Sequence, residues 1–375
     1  MMKIRSLFIL LLLCLGCQVQ EDPLQTVLSS DAAAIKTVMA DPDKYEVQIM
    51  FTEVEREKNG RITLHDYEYR VNDSIYFYPA STVKLPAAIL ALEKLTDYKR
   101  ISKDTRFKME TDSIETSIVI EIRRILAVSD NEAYNRLFEF LGKDEFNERL
   151  NSVGVKARMS HRLSTPNADD LVSKSMVFKA MDSSLTIPRR TNKEIVPLQL
   201  KSLMKGKGYM ENDSLISKPK DFSKKNYFPV RSMHGMMKRL IMPNLFPEEQ
   251  RFKLRNSDRI SLINSMMLSP WQYGYNKREY PDNYVKFLVM GDLEDEDKPK
   301  DLHIYNKVGY AYGYLIDCAY IYNEATKKDY FITAVIHVNE NGIFNDDQYE
   351  YDEIGIPFLA ELGRQLVNHS GKNEE

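Results

Sequence analysis

Apolar residues alternate with polar ones near both ends of the chain and follow helical spacing in between. Residues 45–56 and 62–71 are rich in β-branched and aromatic side chains, which favour strands. Asn59-Gly60 separates the two runs and tolerates positive φ, so the pattern predicts a hairpin. Three more β-type runs lie late in the sequence, at 303–308, 314–322 and 330–338.

The middle of the chain and its last part are predicted to be helical. Apolar residues recur at helical spacing in 85–95, 117–128, 132–141, 143–153, 230–241, 257–268 and about 354–367. Residues 171–228 differ, with several prolines, many lysines and weak periodicity, and they are interpreted as a partly ordered insertion.

These elements together predict an α+β fold. Strands from the two ends must bury their apolar faces, and one mainly antiparallel sheet built from both ends and flanked by helices does so. An all-helical subdomain, about 82–270, would be inserted between the halves of that sheet.

The first residues predict export. Lys3 and Arg5 precede an apolar run that is too short to span a bilayer and fits a secretory signal. The end of this run resembles a bacterial lipoprotein box, which implies that Cys17 carries a lipid anchor, although Cys14 departs from the usual leucine. Residues 1–17 would then be the signal, 18–40 a tether and first helix, and 41–370 the catalytic domain of an exported, membrane-anchored lipoprotein. An ordinary signal peptide without lipid is the alternative.

Composition removes several classes of function. The 375 residues carry a net charge of only -3 with lysines and arginines spread throughout, so no nucleic-acid partner is expected. Six scattered histidines give no metal-ligand spacing, and neither a metal nor a cofactor is predicted. Cys318 is the one cysteine beyond the signal, and its apolar surroundings indicate a buried structural residue.

Candidate chemistry begins at Ser81-x-x-Lys84, where a helix is predicted to start. One helical turn separates the two side chains, so the amine could activate the hydroxyl. A lysine acts as a base only when burial or a second cation lowers its pKa. The same spacing recurs at Ser202/Lys205 and Ser217/Lys220, so the pair alone could be an ordinary helix start.

Two further triplets accompany the Ser81-x-x-Lys84 pair. Ser129-Asp130-Asn131 joins two predicted helices, and Lys307-Val308-Gly309 lies in a β-type run. In this order the three motifs resemble those of class A β-lactamases and penicillin-binding proteins, a DD-peptidase-like superfamily. The likeness covers roughly residues 40–165 and 230–370.

The resemblance implies a serine hydrolase that forms an acyl-enzyme with a small-molecule or peptidoglycan-related amide or ester. Ser81 would attack the acyl carbon, Lys84 would take its proton, and Ser129 would pass a proton to the leaving group. Lys307 would be the second cation. The substrate would be bound by Asn131, Gly309 and Tyr310, with the N–H groups of Ser81 and Tyr310 as the oxyanion hole.

Two departures bear on turnover and substrate. The family's loop glutamate, which activates the deacylating water, has no counterpart in residues 159–170, where Asn167, Asp169 or Asp170 could take its place. Val308 replaces a hydroxyl residue that helps to bind a substrate carboxylate, a loss of about 1.5 to 3 kcal/mol per hydrogen bond. Slow deacylation is therefore expected. A noncatalytic or covalently trapped lipoprotein that senses β-lactams or cell-wall fragments is the alternative function.

Overall fold

The computed structural model describes residues 22–110, 112–180, 183–294 and 297–369. The predicted signal, with Cys14 and Cys17, lies outside these ranges. No helix in the described part of the chain is long and apolar enough to cross a membrane.

Nine α-helices occur among the described residues. They are α1 (Pro23–Leu28), α2 (Ala33–Met39), α3 (Lys84–Lys94), α4 (Ile118–Val128), α5 (Asn131–Leu141), α6 (Lys143–Ser152), α7 (Val230–Ile241), α8 (Asn256–Met267) and α9 (Ile356–His369). Each of the seven helices expected from apolar spacing is present with nearly the predicted boundaries.

Fourteen strands accompany them in the same part of the chain. They are β1 (Gln48–Arg56), β2 (Ile62–Tyr69), β3 (Arg106–Met109), β4 (Glu115–Ser117), β5 (Met176–Ala180), β6 (Ser183–Ile187), β7 (Met204–Lys205), β8 (Gly208–Glu211), β9 (Ser214–Ile216), β10 (Lys220–Asp221), β11 (Leu302–Ala311), β12 (Tyr314–Asn323), β13 (Lys328–His337) and β14 (Ile343–Phe344).

The principal sheet joins the two ends of the chain. Its five strands lie in the order β11-β12-β13-β1-β2, and every neighbouring pair is antiparallel. The central seam pairs Gln48 with Val335 and Val54 with Asp329. The predicted α+β class and the shared sheet are confirmed, and β11, which carries the Lys307 triplet, is an edge strand.

Side chains alternate between the two faces of this sheet, and each face packs against its own hydrophobic core. Ile49 and Phe51 of β1 face the layer formed by α1, α2 and α9. Met50 and Val54 face the helical part of the molecule, with α3, α5 and α7. Because successive side chains point to opposite faces, a strand buried on both sides is almost wholly apolar.

The segment between the sheet halves is not all helical, which corrects the prediction for residues 82–270. It contains a four-stranded antiparallel sheet in the order β4-β3-β5-β6. These strands have three to five residues each, too few for alternation to be distinguished from a loop in the sequence.

The described residues of the insertion, 171–228, are ordered by pairing with both parts of the molecule. Its strand β5 pairs with β3, and β8 pairs in parallel with β14 near the end of the chain. The buried Lys205 amine lies 2.8 Å and 3.0 Å from the two carboxylate oxygens of the partly exposed Glu46. The insertion is therefore attached to the principal sheet.

Candidate active site

Ser81 lies in a tight turn that leads directly into α3. Residues Ala80–Val83 form a 3₁₀ turn, and the α-helix begins at Lys84. Ala80 has a φ of +47° although it has a side chain. A left-handed alanine costs about 1 to 3 kcal/mol and persists only where the surroundings enforce it, so the backbone before Ser81 is held in one conformation.

The Ser-Asp-Asn triplet forms the junction of α4 and α5. Ser129 ends α4 in the left-handed conformation, with φ +55°. Asp130 caps α5, since its carboxylate accepts from the N–H of Ala133 at 2.9 Å. Asn131 is the first residue of α5. The sharp turn directs the side chains of Ser129 and Asn131 toward α3.

Lys84 lies beneath this junction with no exposed surface. Its amine donates to the carbonyl of Ser129, to the Ser129 hydroxyl at 3.2 Å and to Asn131 Oδ1 at 2.7 Å. All three acceptors are neutral, so no carboxylate in hydrogen-bond contact stabilises the charged form of this amine.

Lys307 approaches the same hydroxyl from the edge strand. Its amine lies 2.9 Å from Ser129 Oγ and 2.7 Å from the carbonyl of Val308. The Lys307 side chain is buried as well. Ser129 Oγ therefore lies between two buried amines, one on α3 and one on β11.

Electrostatics lower the pKa of both amines. Burial, followed by the positive charge of Lys307, holds the pKa of Lys84 well below its usual range. Burial lowers the pKa of Lys307 to about 7, with a smaller contribution from the nearby cation Lys286 that the carboxylate of Asp317 opposes. A neutral amine is a proton acceptor, which is what a serine nucleophile requires.

Gly309 brings the edge strand against the Ser81 turn. A β-carbon at this position would lie 2.9 Å from the Pro79 carbonyl oxygen and 3.0 Å from the Ser81 nitrogen. A larger residue would push the strand away, so glycine is required by a close approach. Tyr310 follows immediately, and its side chain is 55% exposed at the cleft.

A cleft of about 1010 Å³ opens above these groups, and Ser81, Ser129, Asn131, Val308 and Tyr310 line it. The structure thus gathers the sequence-predicted residues Ser81, Lys84, Ser129, Asn131, Lys307, Gly309 and Tyr310 in one place. Their individual roles in a reaction remain predictions.

The other two Ser-x-x-Lys pairs have structural contacts instead. Lys205 is committed to Glu46, and the amine of Lys220 lies 4.4 Å from the Tyr209 ring centroid and 5.5 Å from that of Tyr312. Cys318 is buried, and burial raises the pKa of its thiol to about 12. The prediction that it is a structural residue is confirmed.

The loop after α6 places a serine beside the junction. Ser164 Oγ accepts a hydrogen bond of 2.9 Å from the Asn131 amide. Ser164, Thr165 and Ala168 line the cleft, whereas Asn167, Asp169 and Asp170, the sequence candidates for a base, do not. Ser164 was missed because a loop serine carries no periodic or spacing signal.

His161, which also lines the cleft, has its ring nitrogens engaged. Nδ1 lies 2.5 Å from the Arg162 carbonyl oxygen, and Nε2 accepts from the N–H of Asn226 at 3.4 Å. Burial lowers its pKa to about 4. A fully bonded imidazole has no free nitrogen with which to activate a water.

A network of buried polar side chains lies next to Lys307. Lys286 donates to Asn306 Oδ1 at 2.6 Å, and the Asn306 amide donates to Asp317 at 2.7 Å. The other oxygen of Asp317 accepts from the N–H groups of Phe287 and Leu288. The sequence carried one signal for this network, an aspartate within the apolar run of β12.

Removing the Lys286 charge is expected to move the pH dependence of acylation. The cation lowers the pKa of Lys307, so Lys286→Met raises it. If protonated Lys307 is required, activity is lost as pH rises through its pKa, and the alkaline limb moves to higher pH in Lys286→Met. Acylation rates with an activated ester between pH 5 and 9 measure the shift.

Lys238→Met is the matched control. This buried lysine pairs with Asp66 on β2. In the principal sheet β2 lies four strands from β11, so the two strands are about 19 Å apart. Its loss should leave the pH profile unchanged. An alkaline limb that stays in place in Lys286→Met would show that Lys286 does not influence Lys307.

Comparison with known proteins identifies the family and the fold. The sequence model of the β-lactamase enzyme family matches residues 32–370. The chain therefore belongs to the β-lactamase enzyme family. A search of curated protein sequences finds no match.

Solved structures share the fold at low sequence identity. A β-lactamase from Sphaerobacter thermophilus is 13% identical with a TM-score of 0.50, over 93% of this chain and 97% of that one. A β-lactamase from Desulfarculus baarsii is 14% identical with a TM-score of 0.53, over 92% and 98%. A mutant of PBP-A, solved as an acyl-enzyme complex with penicillin G, is 13% identical with a TM-score of 0.53, over 93% and 96%.

Proposed function

We propose that this protein is a serine hydrolase that forms an acyl-enzyme at Ser81 from an amide or ester. The observation that carries the proposal is the placement of Ser129 Oγ between the amines of Lys84 and Lys307, 3.2 Å and 2.9 Å away. All three groups adjoin the turn that carries Ser81. A neutral Lys84 amine could accept the proton of Ser81. The Ser129 hydroxyl, which contacts both amines, could relay that proton.

The reaction would proceed in two proton transfers. Ser81 Oγ forms a bond to the acyl carbon while its proton passes to neutral Lys84, and the carbonyl oxygen becomes an oxyanion facing the N–H groups of Ser81 and Tyr310. The proton then returns from Lys84 through Ser129 to the leaving nitrogen or oxygen as the scissile bond breaks. Each oxyanion donor typically contributes about 3 to 4 kcal/mol.

A β-lactam or a cell-wall peptide is the leading substrate class. PBP-A, which has a similar fold, has been solved as an acyl-enzyme with penicillin G. Val308 lines the cleft without a hydroxyl, so the protein should depend less on a substrate carboxylate next to Lys307.

The scarcity of available carboxylates among the described cleft-lining residues supports a second candidate, a covalently trapped binding protein that senses β-lactams or cell-wall fragments. The carboxylates among the described cleft-lining residues are Asp130 and Asp347. Asp130 is committed to the α5 cap and to Arg124 at 3.0 Å, and Asp347 is exposed on the rim. Ser164 faces Asn131 where a base would act, and a hydroxyl without a partner base activates water poorly.

Intact mass spectrometry after exposure to penicillin G and to p-nitrophenyl acetate tests the proposal. Wild type should gain one acyl group and Ser81→Ala none, because the attacking oxygen is gone. A persistent adduct favours the trapped binding protein, and rapid product release favours a hydrolase. If neither compound yields adduct or product, the enzymatic proposal is wrong.

We also propose that the protein is exported and anchored by lipid at Cys17. A basic N-terminus, an apolar run and the cysteine support this location. Cys17→Ser should move the protein from the membrane fraction to the soluble fraction while Ser81 acylation continues. Unchanged fractionation would rule out lipid anchoring at this cysteine.

A further inference from the structure

A side pocket of about 360 Å³ adjoins the cleft. Four residues line both cavities: Tyr284, Phe287, Tyr310 and Tyr351. Tyr310 is the residue that immediately follows Gly309, at the point where β11 meets the Ser81 turn. The Tyr310 ring therefore lies between the cleft that holds Ser81 and the side pocket.

Apolar side chains form the floor of the side pocket, whose lining as a whole is mixed and includes Asn283, Asp352 and three tyrosines. Leu315 and Phe287 are buried beneath it, and Pro281 and Ile356 complete its walls. Gly291 lies so close that a β-carbon there would be 2.7 Å from the Phe287 carbonyl oxygen and 2.9 Å from Ile356 Cγ2. The pocket is thus bounded by tightly packed side chains of the core between the principal sheet and α9.

Aromatic rings at its mouth are held in place before any ligand arrives. Tyr310 and Tyr351 meet edge to face, with ring centroids 5.1 Å apart. The Tyr351 hydroxyl accepts a hydrogen bond of 2.8 Å from the N–H of Gly313. Tyr310 and Tyr284 are nevertheless 55% and 38% exposed, and exposed rings in a concave site are typical of ligand contacts.

Charge and hydrogen bonding restrict the occupant. The described lining residues include no lysine or arginine, and Asp352, which is exposed, is the one carboxylate among them. The Asn283 amide already donates to the carbonyls of Gly291 and Leu293 at 3.1 Å and 3.2 Å. An anionic group would lose much of its hydration there without gaining a cationic partner, whereas a neutral apolar group would not.

The direction of the reaction decides which part of the substrate reaches the pocket. Ser129 and Lys307, which would serve the leaving group, meet at one position along β11. Tyr310 lies three residues further along the strand, about 10 Å away. The leaving group belongs at the Ser129 end, so the acyl group extends toward Tyr310.

We infer that the side pocket is a specificity site for substrates whose acyl group carries a neutral, ring-bearing apolar substituent. This inference rests on the proposed acylation of Ser81. Binding such a ring between Tyr284 and Tyr310, over Leu315 and Ile356, would favour it over a small acyl group by at least about tenfold in acylation rate.

Three p-nitrophenyl esters with the same leaving group test the inference: acetate, 3-phenylpropanoate and hemisuccinate. Acylation of Ser81 is followed by p-nitrophenolate release and intact mass, and each rate is divided by that ester's rate with hydroxide. Wild type should prefer 3-phenylpropanoate to acetate by tenfold or more and disfavour hemisuccinate. Equal corrected rates would overturn the inference.

Two variants locate the preference in the pocket. Ile356→Trp fills the pocket and Tyr284→Ala removes one wall, so both should reduce the ring preference at least threefold while acetate still reacts. Ile260→Trp, at a 48% exposed position on α8 outside the cavity, should retain it. A preference that survives in both pocket variants would overturn the inference.

The esters also separate this inference from the proposed function. If acetate labels Ser81 without a ring preference, only the specificity site is wrong. If no ester labels Ser81, the proposed acyl-enzyme fails, and the inference that rests on it fails too.

Discussion

Lys84→Met is expected to reduce acylation of Ser81 by about 10²- to 10⁴-fold, the usual contribution of a positioned general base. The methionine thioether cannot accept a proton from Ser81. The Lys307 amine contacts Ser129 and does not occupy the position of the Lys84 amine. Single-turnover mass spectrometry with an activated ester measures the loss.

The same substitution should leave the melting temperature unchanged or raise it. Lys84 has no exposed surface, and its hydrogen-bond acceptors are neutral, so the cost of moving this amine out of water, where it is charged, opposes folding. Methionine fills a similar volume without that cost, which offsets the hydrogen bonds lost by Ser129 and Asn131. Loss of activity without loss of stability is the expected pattern for a catalytic base.

Lys94→Met is the matched control on the same helix. Lys94 is buried about 15 Å further along α3, where its amine contacts Glu145 and the carbonyl of Leu141. Methionine there should lower the melting temperature and leave acylation intact. Near-normal acylation in Lys84→Met would rule out Lys84 as the base.

Ser164→Glu is expected to shorten the lifetime of a penicillin adduct by about 10²- to 10⁴-fold. Ser164 is already within hydrogen-bond distance of the Asn131 amide, and a glutamate there would extend a carboxylate into the cleft near the acyl-enzyme. A carboxylate can take a proton from water, whereas a neutral serine hydroxyl cannot. Decay of the adduct, followed by intact mass after removal of free penicillin, gives the rate.

Glutamine has the same side-chain length as glutamate but no carboxylate to act as a base. Ser164→Gln should therefore leave the adduct as long-lived as in wild type. The gain in Ser164→Glu should also vanish as pH falls below the pKa of its carboxyl, normally about 4.3. Equal lifetimes for the glutamate and glutamine variants would contradict the assignment of position 164 as the missing base.

The sequence could predict elements whose pattern is long and regular. Helices such as α4 and α5 repeat their apolar positions over three turns, and the strands at the two chain ends carry β-branched runs, so both follow from local periodicity. The short strands β3 and β5 did not, because four and five residues are too few to show a clear alternation. The assumption of an all-helical subdomain was wrong for that reason.

The sequence by itself determined the candidate chemistry, since Ser81, Lys84, Ser129 and Lys307 occur in an order that resembles one family. Spacing could not show that Lys205, in an identical local pattern, pairs with Glu46. Only packing separates a buried amine among neutral acceptors from one neutralised by a carboxylate.

The tertiary structure alone decided which groups meet across long sequence distances. Ser164 reaches Asn131, Lys286 lies behind Lys307, and Tyr310 lines both the cleft and the side pocket. Each contact depends on how α5, the following loop and the edge strand pack together. Local sequence sets the residue types, and burial sets their pKa values and partners.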